Sequence, residues 1–287
     1  MLQWNTIQLN KNMEKIFTLL YPQYKPKACT FSYDDGVLQD VWVVNLFRQY
    51  NLKGTFNLNS GQFGQPKMRD GIDCSHLEEE RIVKLYEGQE IATHTFSHPH
   101  LENLSKAEQL NEYRQDILKL RELFGKPIVG SAYPFGTYNQ TTLDVLDELN
   151  VKYARTTKST YDFHRPYNFR LWHPTIHHND LKIGDIVNRF YQTSEELAIL
   201  YIWGHSYEFA LQNNWREFEM LCADLACHPH IWFATNGEIY EYIKAAELSY
   251  VRNNILFNPS NKVIFYQIRQ SVLSLEPCGQ RDIGEFL

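Results

Sequence analysis

Apolar and polar positions follow two rhythms along this chain. Short apolar runs rich in β-branched and aromatic residues, predicted as strands, cover residues 27–33, 54–58, 89–94, 128–133, 152–156, 169–176, 197–203 and 231–234. Segments with apolar residues at i, i+3 and i+4, predicted as helices, cover residues 41–49, 77–86, 106–124, 142–149 and 215–226. Strands that alternate with helices are typical of a parallel sheet or barrel of βα units.

Two serines carry the signature of helix starts. Ser105 precedes the predicted helix 106–124 and is followed three residues later by Glu108. Ser75 stands in the same relation to Glu78, just before the apolar residues of 77–86. Both pairs predict a capping box, in which side chain and backbone bond reciprocally.

The alternation ends after Glu247. Two strand-like runs flank the turn-forming residues 258–261, which predicts an appended C-terminal β-hairpin. No repeat or Pro/Gly/Ser-rich linker divides the chain earlier. We therefore predict a single domain over residues 1–287, with a βα core at 25–245 and an extension at 246–287 packed on it.

Composition narrows the class of protein. The 287 residues are 43% hydrophobic and 22% charged, which favours a soluble globular fold with a sizeable core. The net charge of −6, without blocks of like charge, argues against a nucleic-acid partner. No stretch approaches the roughly 18 apolar residues of a membrane span. Aromatic residues make up 14%, which favours bulky core packing and would also suit a groove that stacks on sugar rings.

The cysteines and the N-terminus bear on location. Five cysteines without a CxxC pair predict reduced thiols rather than a disulfide framework. The N-terminal residues lack the apolar stretch and cleavage site of a signal peptide. We expect a cytoplasmic protein from the sequence as it stands, or an exported one if a signal peptide has been removed. Its oligomeric state is left open.

An acidic doublet is the first candidate for chemistry. Asp34 and Asp35 directly follow a predicted strand and precede Gly36. Two adjacent carboxylates raise each other's pKa unless a cation compensates, so the pair favours a metal site. An ordinary Asp-Asp-Gly turn is the alternative.

A pair of histidines is the second candidate. His94 and His98 are four residues apart, so one helical turn would bring both imidazoles to a single ion such as Zn²⁺. His173 and His177 share this spacing, but Pro174 disfavours helical geometry at His173. His94 also ends a predicted strand, as Asp35 does, and the strands of a βα barrel end on one face. Asp35, His94 and His98 could therefore converge on a metal.

Two further strand ends carry polar residues. The loop after the run 128–133 contains Pro134 and Gly136, which predict a tight turn. The run 197–203 leads into Trp203, Gly204 and His205. His205 is either a buried histidine bonded to the backbone or a functional one, and its position at a strand end favours function.

These four segments, in this order, resemble the motifs of the polysaccharide deacetylase family, also called carbohydrate esterase family 4 or the NodB-homology fold. The matching segments are SYDDG at 32–36, HTFSH at 94–98, AYPFG at 132–136 and IWGH at 202–205. The resemblance covers roughly residues 25–245 and implies an α/β fold, a distorted and incomplete (β/α) barrel.

The resemblance also implies roles for residues. Asp34 would be the catalytic base and His205 the general acid, while Asp35, His94 and His98 would bind a divalent metal. Zn²⁺ is expected first, and Co²⁺ or Ni²⁺ also suits these ligands. Pro134, Phe135 and Gly136 would form the oxyanion loop, with the Phe135 N–H as donor, and Tyr133 and Trp203 would contact substrate.

The implied activity is removal of an acetyl group from an N-acetylated amino sugar or polysaccharide. Two alternatives stay open: the same site could hydrolyse a small N-acyl or ureide compound, or the protein could be an impaired metal- or sugar-binding member. The expected partner is accordingly a carbohydrate or a small N-acyl substrate.

The chain departs from the family pattern at two places. Ala132 stands where the family has the arginine that braces the base, and Arg155 or Arg170 is a hypothetical replacement. The fourth family motif, an Asp-rich stretch with a tryptophan, has only Trp172 as a weak match. The carboxylate partner of His205 is therefore unassigned, with Glu208 as a candidate.

Overall fold

Apolar strand residues build a curled parallel sheet at the centre of the protein. The computed structural model describes residues 17–286. The strands are β1 (Phe17–Leu20), β2 (Lys27–Asp35), β3 (Gly54–Leu58), β4 (Met68–Arg69), β5 (Ile72–Asp73), β6 (Glu90–Thr93), β7 (Gly130–Ala132), β8 (Tyr153–Arg155), β9 (Ile176–His177), β10 (Ala198–Gly204), β11 (Ile231–Phe233), β12 (Tyr250–Arg252), β13 (Ile255–Phe257), β14 (Ile264–Ile268), β15 (Ser271–Leu275) and β16 (Gln280–Asp282). The α-helices are α1 (Asp40–Gln49), α2 (Glu79–Leu85), α3 (Lys106–Phe124), α4 (Gln140–Glu148), α5 (Ile183–Gln192), α6 (Tyr207–Gln212), α7 (Trp215–Ala226) and α8 (Asn236–Ala246).

The central sheet is an incomplete barrel. Its strands follow the order β8-β7-β6-β3-β2-β10-β9, and β11 also pairs with β2. Each of these pairs is parallel. The sheet ends at β8 and β9, so it curls without closing. The predicted fold class is thereby confirmed, and the carboxyl ends of the strands share one edge.

Most of the predicted strands coincide with observed ones, but the run 169–176 does not. Residues Phe169–Leu171 form a 3₁₀ turn, and only Ile176–His177 is strand. Trp172 makes a single parallel bridge to Arg155. Pro174, which has no N–H to donate, stands where the ladder would have to continue. The helices α5, α6 and α8 were not predicted.

The two predicted capping boxes differ in outcome. Ser105 caps α3: its hydroxyl accepts from the Glu108 N–H, and the Glu108 carboxylate accepts from the Ser105 N–H. The prediction for Ser75 is wrong, because α2 begins only after Glu78. The Ser75 hydroxyl and N–H instead donate to the carboxylate of Asp73, at 2.6 and 3.0 Å, in a local turn.

The C-terminal extension contains β structure, as predicted, but with different pairing. The runs that flank residues 258–261 become β13 and β14, which join separate three-stranded sheets, β12-β13-β16 and β1-β14-β15. The hairpins turn instead between β12 and β13 and between β14 and β15. Tyr266 of β14 shares a buried cluster with Tyr242 of α8 and Tyr201 of β10. The domain boundaries at 25–245 and 246–287 stay a prediction.

Two expectations about location and thiols can be compared with the structure. None of the helices that the structure describes combines the length and apolar character needed to cross a bilayer. The five cysteines, which all lie within residues 17–286, are free thiols. The N-terminal segment on which the cytoplasmic expectation rests lies outside the described residues.

Candidate active site at the carboxyl end of the sheet

The acidic doublet ends β2 at the centre of the sheet edge. Successive side chains of an extended strand point to opposite faces, but Asp35 adopts a left-handed conformation with φ of +77°. Both carboxylates therefore reach one mouth: Asp34 Oδ2 lies 3.9 Å and Asp35 Oδ1 3.8 Å from the Nε2 atom of His94. Both side chains are almost completely buried.

His94 and His98 reach the same mouth through a loop rather than a helix. The helical turn assumed for them is wrong, because Thr95 and His98 have positive φ values of +66° and +59°. The side-chain amide of Asn59 holds the loop by donating to the carbonyls of His94 and Thr95. The convergence nevertheless occurs, since His98 Nε2 lies 3.7 Å from Asp35 Oδ1.

Asp35, His94 and His98 fit a divalent metal ion. Their donor atoms all lie within 4.8 Å of one another. Two ligands on one tetrahedral ion are about 3.4 Å apart, close to the 3.7 and 3.8 Å between Asp35 Oδ1 and the two Nε2 atoms. Asp35 Oδ1 is buried without a hydrogen-bond partner among the described residues. His94 Nδ1 bonds the Ala132 carbonyl at 2.8 Å, which directs Nε2 towards the carboxylates.

The protonation states at neutral pH also suit a metal. Burial acts to raise the pKa of Asp35, but the charges of His205, His94 and Lys67 hold it below its ordinary value. Burial lowers the pKa of His94, and burial together with His94 lowers that of His98 to about 4. An ionised carboxylate and neutral imidazoles are the forms that bind metal.

The base candidate Asp34 is braced by Arg155. The Arg155 guanidinium forms an ion pair with Asp34 Oδ2, and both side chains are buried. The Asn57 amide donates to the other oxygen, Oδ1, at 2.8 Å. Burial would raise the pKa of Asp34, but Arg155 and, to a smaller extent, His94 and His205 hold it below its usual value. The carboxylate is therefore ionised and fixed through both oxygens.

Arg155 and Ala132 occupy neighbouring strands at the edge of the site. Ala132 of β7 and Arg155 of β8 are direct partners in the parallel register. The guanidinium thus comes from the strand next to the position that lacks it. Arg170, the other hypothetical source, instead pairs with Asp147 at 2.8 Å and bonds the Val151 carbonyl.

The acid candidate His205 follows β10 on the other side of Asp34. Its Nε2 atom lies 3.9 Å from Asp34 Oδ2, and its Nδ1 atom lies 3.4 Å from Glu208 Oε1. Burial acts to lower the pKa of His205, but Glu208 and the two aspartates raise it above its ordinary value. The protonated imidazole, which a general acid requires, is favoured.

Glu208 gathers two more histidines. Its Oε2 atom lies 3.2 Å from His177 Nε2 and 3.1 Å from His178 Nε2, and accepts from the His205 N–H at 3.0 Å. Burial would raise the pKa of Glu208, but these imidazoles hold it well below its usual range. His177 therefore belongs to this cluster, whereas His173 bonds the Thr156 hydroxyl.

The loop predicted to hold the oxyanion forms a tight turn over the metal-ligand side. Residues Pro134–Gly136 make one 3₁₀ turn, with Phe135 at φ of +56°. The exposed Phe135 ring stacks on His100, with centroids 3.8 Å apart, and meets the edge of His98 at 4.5 Å. An exposed aromatic face thus lies beside the ligand histidines.

The two predicted substrate contacts lie deeper than expected. Tyr133 is buried and its hydroxyl donates to the Arg170 carbonyl at 2.6 Å, so its ring packs inside the protein and does not line the mouth. Trp203 is only 7% exposed and lies between the Arg155 guanidinium, 4.3 Å from the ring centroid, and the His177 ring, at 4.7 Å. Trp203 thus forms part of the floor.

Sequence reasoning missed several residues at the site, among them Asn57 and Lys67. Asn57 is the register partner of Asp34 and a polar amide in the otherwise mostly apolar run 54–58. Aligning the ends of neighbouring predicted strands could have identified it. Lys67 lies 3.4 Å from Asp35 Oδ2, but it comes from a segment without periodicity, and nothing in the sequence marks it.

Comparisons with known proteins agree with the fold and the motifs. Residues 22–154 match the family model described as polysaccharide deacetylase. YxkH of Bacillus subtilis (strain 168), which is named as a candidate polysaccharide deacetylase, is 25% identical over 136 residues, 46% of this chain and 45% of that protein. The chain therefore aligns with less than half the length of this curated relative. The resemblance to the family is confirmed.

Two solved structures share the fold across most of the chain. One, from Mycobacterium smegmatis and described as a candidate polysaccharide deacetylase, has a TM-score of 0.60 at 16% identity, covering 82% of this chain and 97% of that one. The other, the allantoinase Puue, has a TM-score of 0.58 at 14% identity, covering 77% and 91%. At such identities the likeness concerns the fold alone.

Proposed function

We propose that this chain, which resembles the polysaccharide deacetylases, is a metal-dependent hydrolase that removes the acetyl group from an N-acetylated amino sugar. The observation that supports this most is the placement of Asp34. One of its oxygens, Oδ2, lies 3.9 Å from a metal-ligand candidate, His94, and 3.9 Å from an acid candidate, His205. A base between a metal site and an acid is the arrangement that amide hydrolysis requires.

Asp35, His94 and His98 would hold the ion. A divalent metal at this position would supply Lewis-acid polarisation of the acyl carbonyl and would lower the pKa of water. Asp34 accepts the proton of the attacking water. Arg155 keeps that carboxylate ionised, and Asn57 fixes its second oxygen, so Oδ2 faces the reaction space.

His205 supplies the proton for the leaving amine, because a C–N bond does not break readily while the nitrogen leaves as an anion. Glu208 contacts Nδ1 and stabilises the imidazolium, so Nε2 carries its proton on the side of Asp34. The glutamate thus takes the place of the carboxylate partner that the sequence left unassigned.

The loop of Pro134, Phe135 and Gly136 would stabilise the oxyanion. A backbone N–H preorganised beside the developing charge contributes directly to the barrier reduction, and we assign this part to the Phe135 N–H. The exposed Phe135 ring offers an apolar face of the kind on which sugar rings stack.

The test measures acetate release before and after metal removal. The purified protein is treated with a chelator, dialysed and reloaded with Zn²⁺, Co²⁺ or Ni²⁺, then assayed on chito-oligosaccharides, peptidoglycan fragments and acetylated xylan. We expect loss of activity on chelation and recovery on reloading. Full activity in the metal-free protein would overturn the proposal.

The same assay separates the alternatives. It includes a small N-acyl amino acid and a ureide, because position 132 departs from the family pattern. Hydrolysis of these compounds alone would assign the small-molecule activity. A protein that binds stoichiometric metal and hydrolyses none of the substrates would be the impaired binding member.

A further inference from the structure

A short β-hairpin brings two cations to the rim of the site. The strands β4 and β5 pair antiparallel; Arg69 lies in β4, and Lys67 directly precedes β4, with its carbonyl accepting from the Cys74 N–H. Lys67 Nζ lies 3.4 Å from Asp35 Oδ2. The Arg69 guanidinium bonds the Tyr207 hydroxyl and lies 4.5 Å from the centroid of that ring. The Tyr207 ring in turn is 5.2 Å from that of His205.

The two cations share the face of the hairpin that is turned to the site. Residues two apart on a strand point the same way, so Lys67 and Arg69 lie on one side. Asp73 is paired with Met68, the residue between them, and therefore lies on the other side. Its carboxylate accepts from the N–H and hydroxyl of Ser75. Asp73 thus does not neutralise this pair.

The carboxylates near His98 and Phe135 already have partners. Glu102 contacts His100 at 3.3 Å, and Glu112 accepts from the N–H and hydroxyl of Ser97. These carboxylates lie on the side of His98 and Phe135. An anion would therefore be attracted to the hairpin side.

The carboxylates at the centre of the mouth are matched by cations before a metal is counted. The three carboxylates of Asp34, Asp35 and Glu208 face the permanent cations Arg155, Lys67 and Arg69, and also His205, whose raised pKa favours its charged form. A bound divalent ion leaves a surplus of positive charge. The ion would also interact with the carboxylate of Asp35, so the charge of Lys67 would be less fully neutralised. The Lys67 side chain is 32% exposed and Arg69 is exposed, so this surplus faces incoming substrate.

We propose that the substrate carries a carboxylate near the acylated nitrogen and that Lys67 and Arg69 bind this group. The inference rests on the proposed function and narrows its substrate class from N-acetyl sugars in general to N-acetyl sugar acids. Lys67 and Arg69 act here as specificity residues, because they contact a part of the substrate that does not react.

The test measures binding separately from turnover. Zn²⁺-loaded Asp34→Asn protein is titrated with N-acetylmuramic acid, with its methyl ester and with N-acetylglucosamine, so that the ester removes only the charge. Charged hydrogen bonds contribute enough to expect about tenfold tighter binding of the acid. Adding Lys67→Gln and Arg69→Gln should abolish this difference in affinity. Lys126 lies beside the cavity at the opposite end of the barrel, so Lys126→Gln should leave the difference unchanged. Zn²⁺ content is measured in every variant.

The outcomes are distinct. Equal or undetectable binding of the acid overturns the inference, as does an acid preference that survives the double replacement. A preference for N-acetylglycine over N-acetylglycinamide, without one for the sugar acid, would keep the carboxylate site but overturn the sugar-acid assignment. Failure of the unmutated protein to release acetate from any substrate would count against the proposed function and leave the binding result standing.

Discussion

Two clusters, each of one carboxylate with several imidazoles, flank Asp34, and they differ in their contacts. In the ligand cluster (Asp35, His94 and His98), Asp35 Oδ1 lies 3.8 and 3.7 Å from the two Nε2 atoms and has no hydrogen-bond partner among the described residues. In the acid cluster (Glu208, His177, His178 and His205), the carboxylate oxygens of Glu208 lie 3.1 to 3.4 Å from the imidazole nitrogens.

Residue type alone does not distinguish a metal site from a proton-transfer site. His177, His205 and Glu208 also offer three atoms within 4.8 Å of one another. In the acid cluster, however, three imidazole nitrogens lie within 3.4 Å of the Glu208 carboxylate, and this carboxylate raises the pKa of His205. Burial lowers the pKa of both imidazoles in the ligand cluster and also lowers that of His178 in the acid cluster, to about 4, so the raised pKa of His205 is what distinguishes the acid cluster.

The largest effect should come from replacing the carboxylate of each cluster in turn. We expect Asp35→Asn to lose its metal. Its metal affinity should fall by more than the roughly 100-fold that results from replacing a residue hydrogen-bonded to a metal ligand. Glu208→Gln should retain metal. Elemental analysis after gel filtration decides, and the reverse pattern would move the metal to the acid cluster.

The second largest effect is expected at Asp34, between the clusters. Asp34→Asn should lower turnover by about 10²- to 10⁴-fold, since a positioned base is lost. Metal content should stay unchanged, because the assigned ligands are intact. An unimpaired variant would remove Asp34 as the base.

The third test concerns the arginine that braces Asp34. Arg155→Met leaves a buried carboxylate unpaired, which should reduce the free energy of unfolding at neutral pH by about 3–5 kcal/mol. Arg155 lowers the pKa of Asp34 in the folded protein. The stabilisation from this ion pair is therefore fully present above the pKa of Asp34 in the unfolded chain, and it is lost as the pH falls through the pKa of Asp34 in the folded protein. The difference between variant and parent should therefore shrink in acid.

Chemical denaturation over a pH series measures this, with Arg170→Met as control. Arg170 pairs with Asp147, which is 73% exposed, so that replacement should cost less than about 1 kcal/mol. Equal effects of the two replacements would contradict the structural account of Asp34.

The smallest effect is expected for the pH profile of Glu208→Gln. Glu208 raises the pKa of His205, and only protonated His205 can act as an acid. Neutralising Glu208 should lower that pKa, so the alkaline limb of kcat/KM moves to lower pH and activity there falls by about tenfold, less than the loss of the acid itself. Glu102→Gln, which affects the contact to His100, should leave the profile in place. An unchanged alkaline limb in Glu208→Gln would separate Glu208 from the acid.

Much of the site could be predicted from the sequence because parallel strands end on one side. Asp35, His94 and His205 each follow an apolar run, and the structure places all three at the same edge of the sheet. The helical turn predicted from the spacing of His94 and His98 was wrong, since a loop with two left-handed residues brings them together.

The C-terminal extension could be predicted only in part. Apolar runs and the turn residues 258–261 indicated strands, but strand pairing depends on which edges are available in space. The edge of β14 is taken by β1 from the start of the described chain, more than 240 residues away in sequence. Local turn residues carry no information about such a partner.

The order of the βα units and the residue types at their ends follow from hydrophobic periodicity and motif spacing, which are local properties of the chain. The contacts of Arg155 with Asp34, of Glu208 with His205 and of Lys67 with Asp35 became evident only in the folded protein. The reason is physical: an ion pair depends on the positions of two side chains in space, and the register between β7 and β8 or the path of a surface hairpin sets those positions.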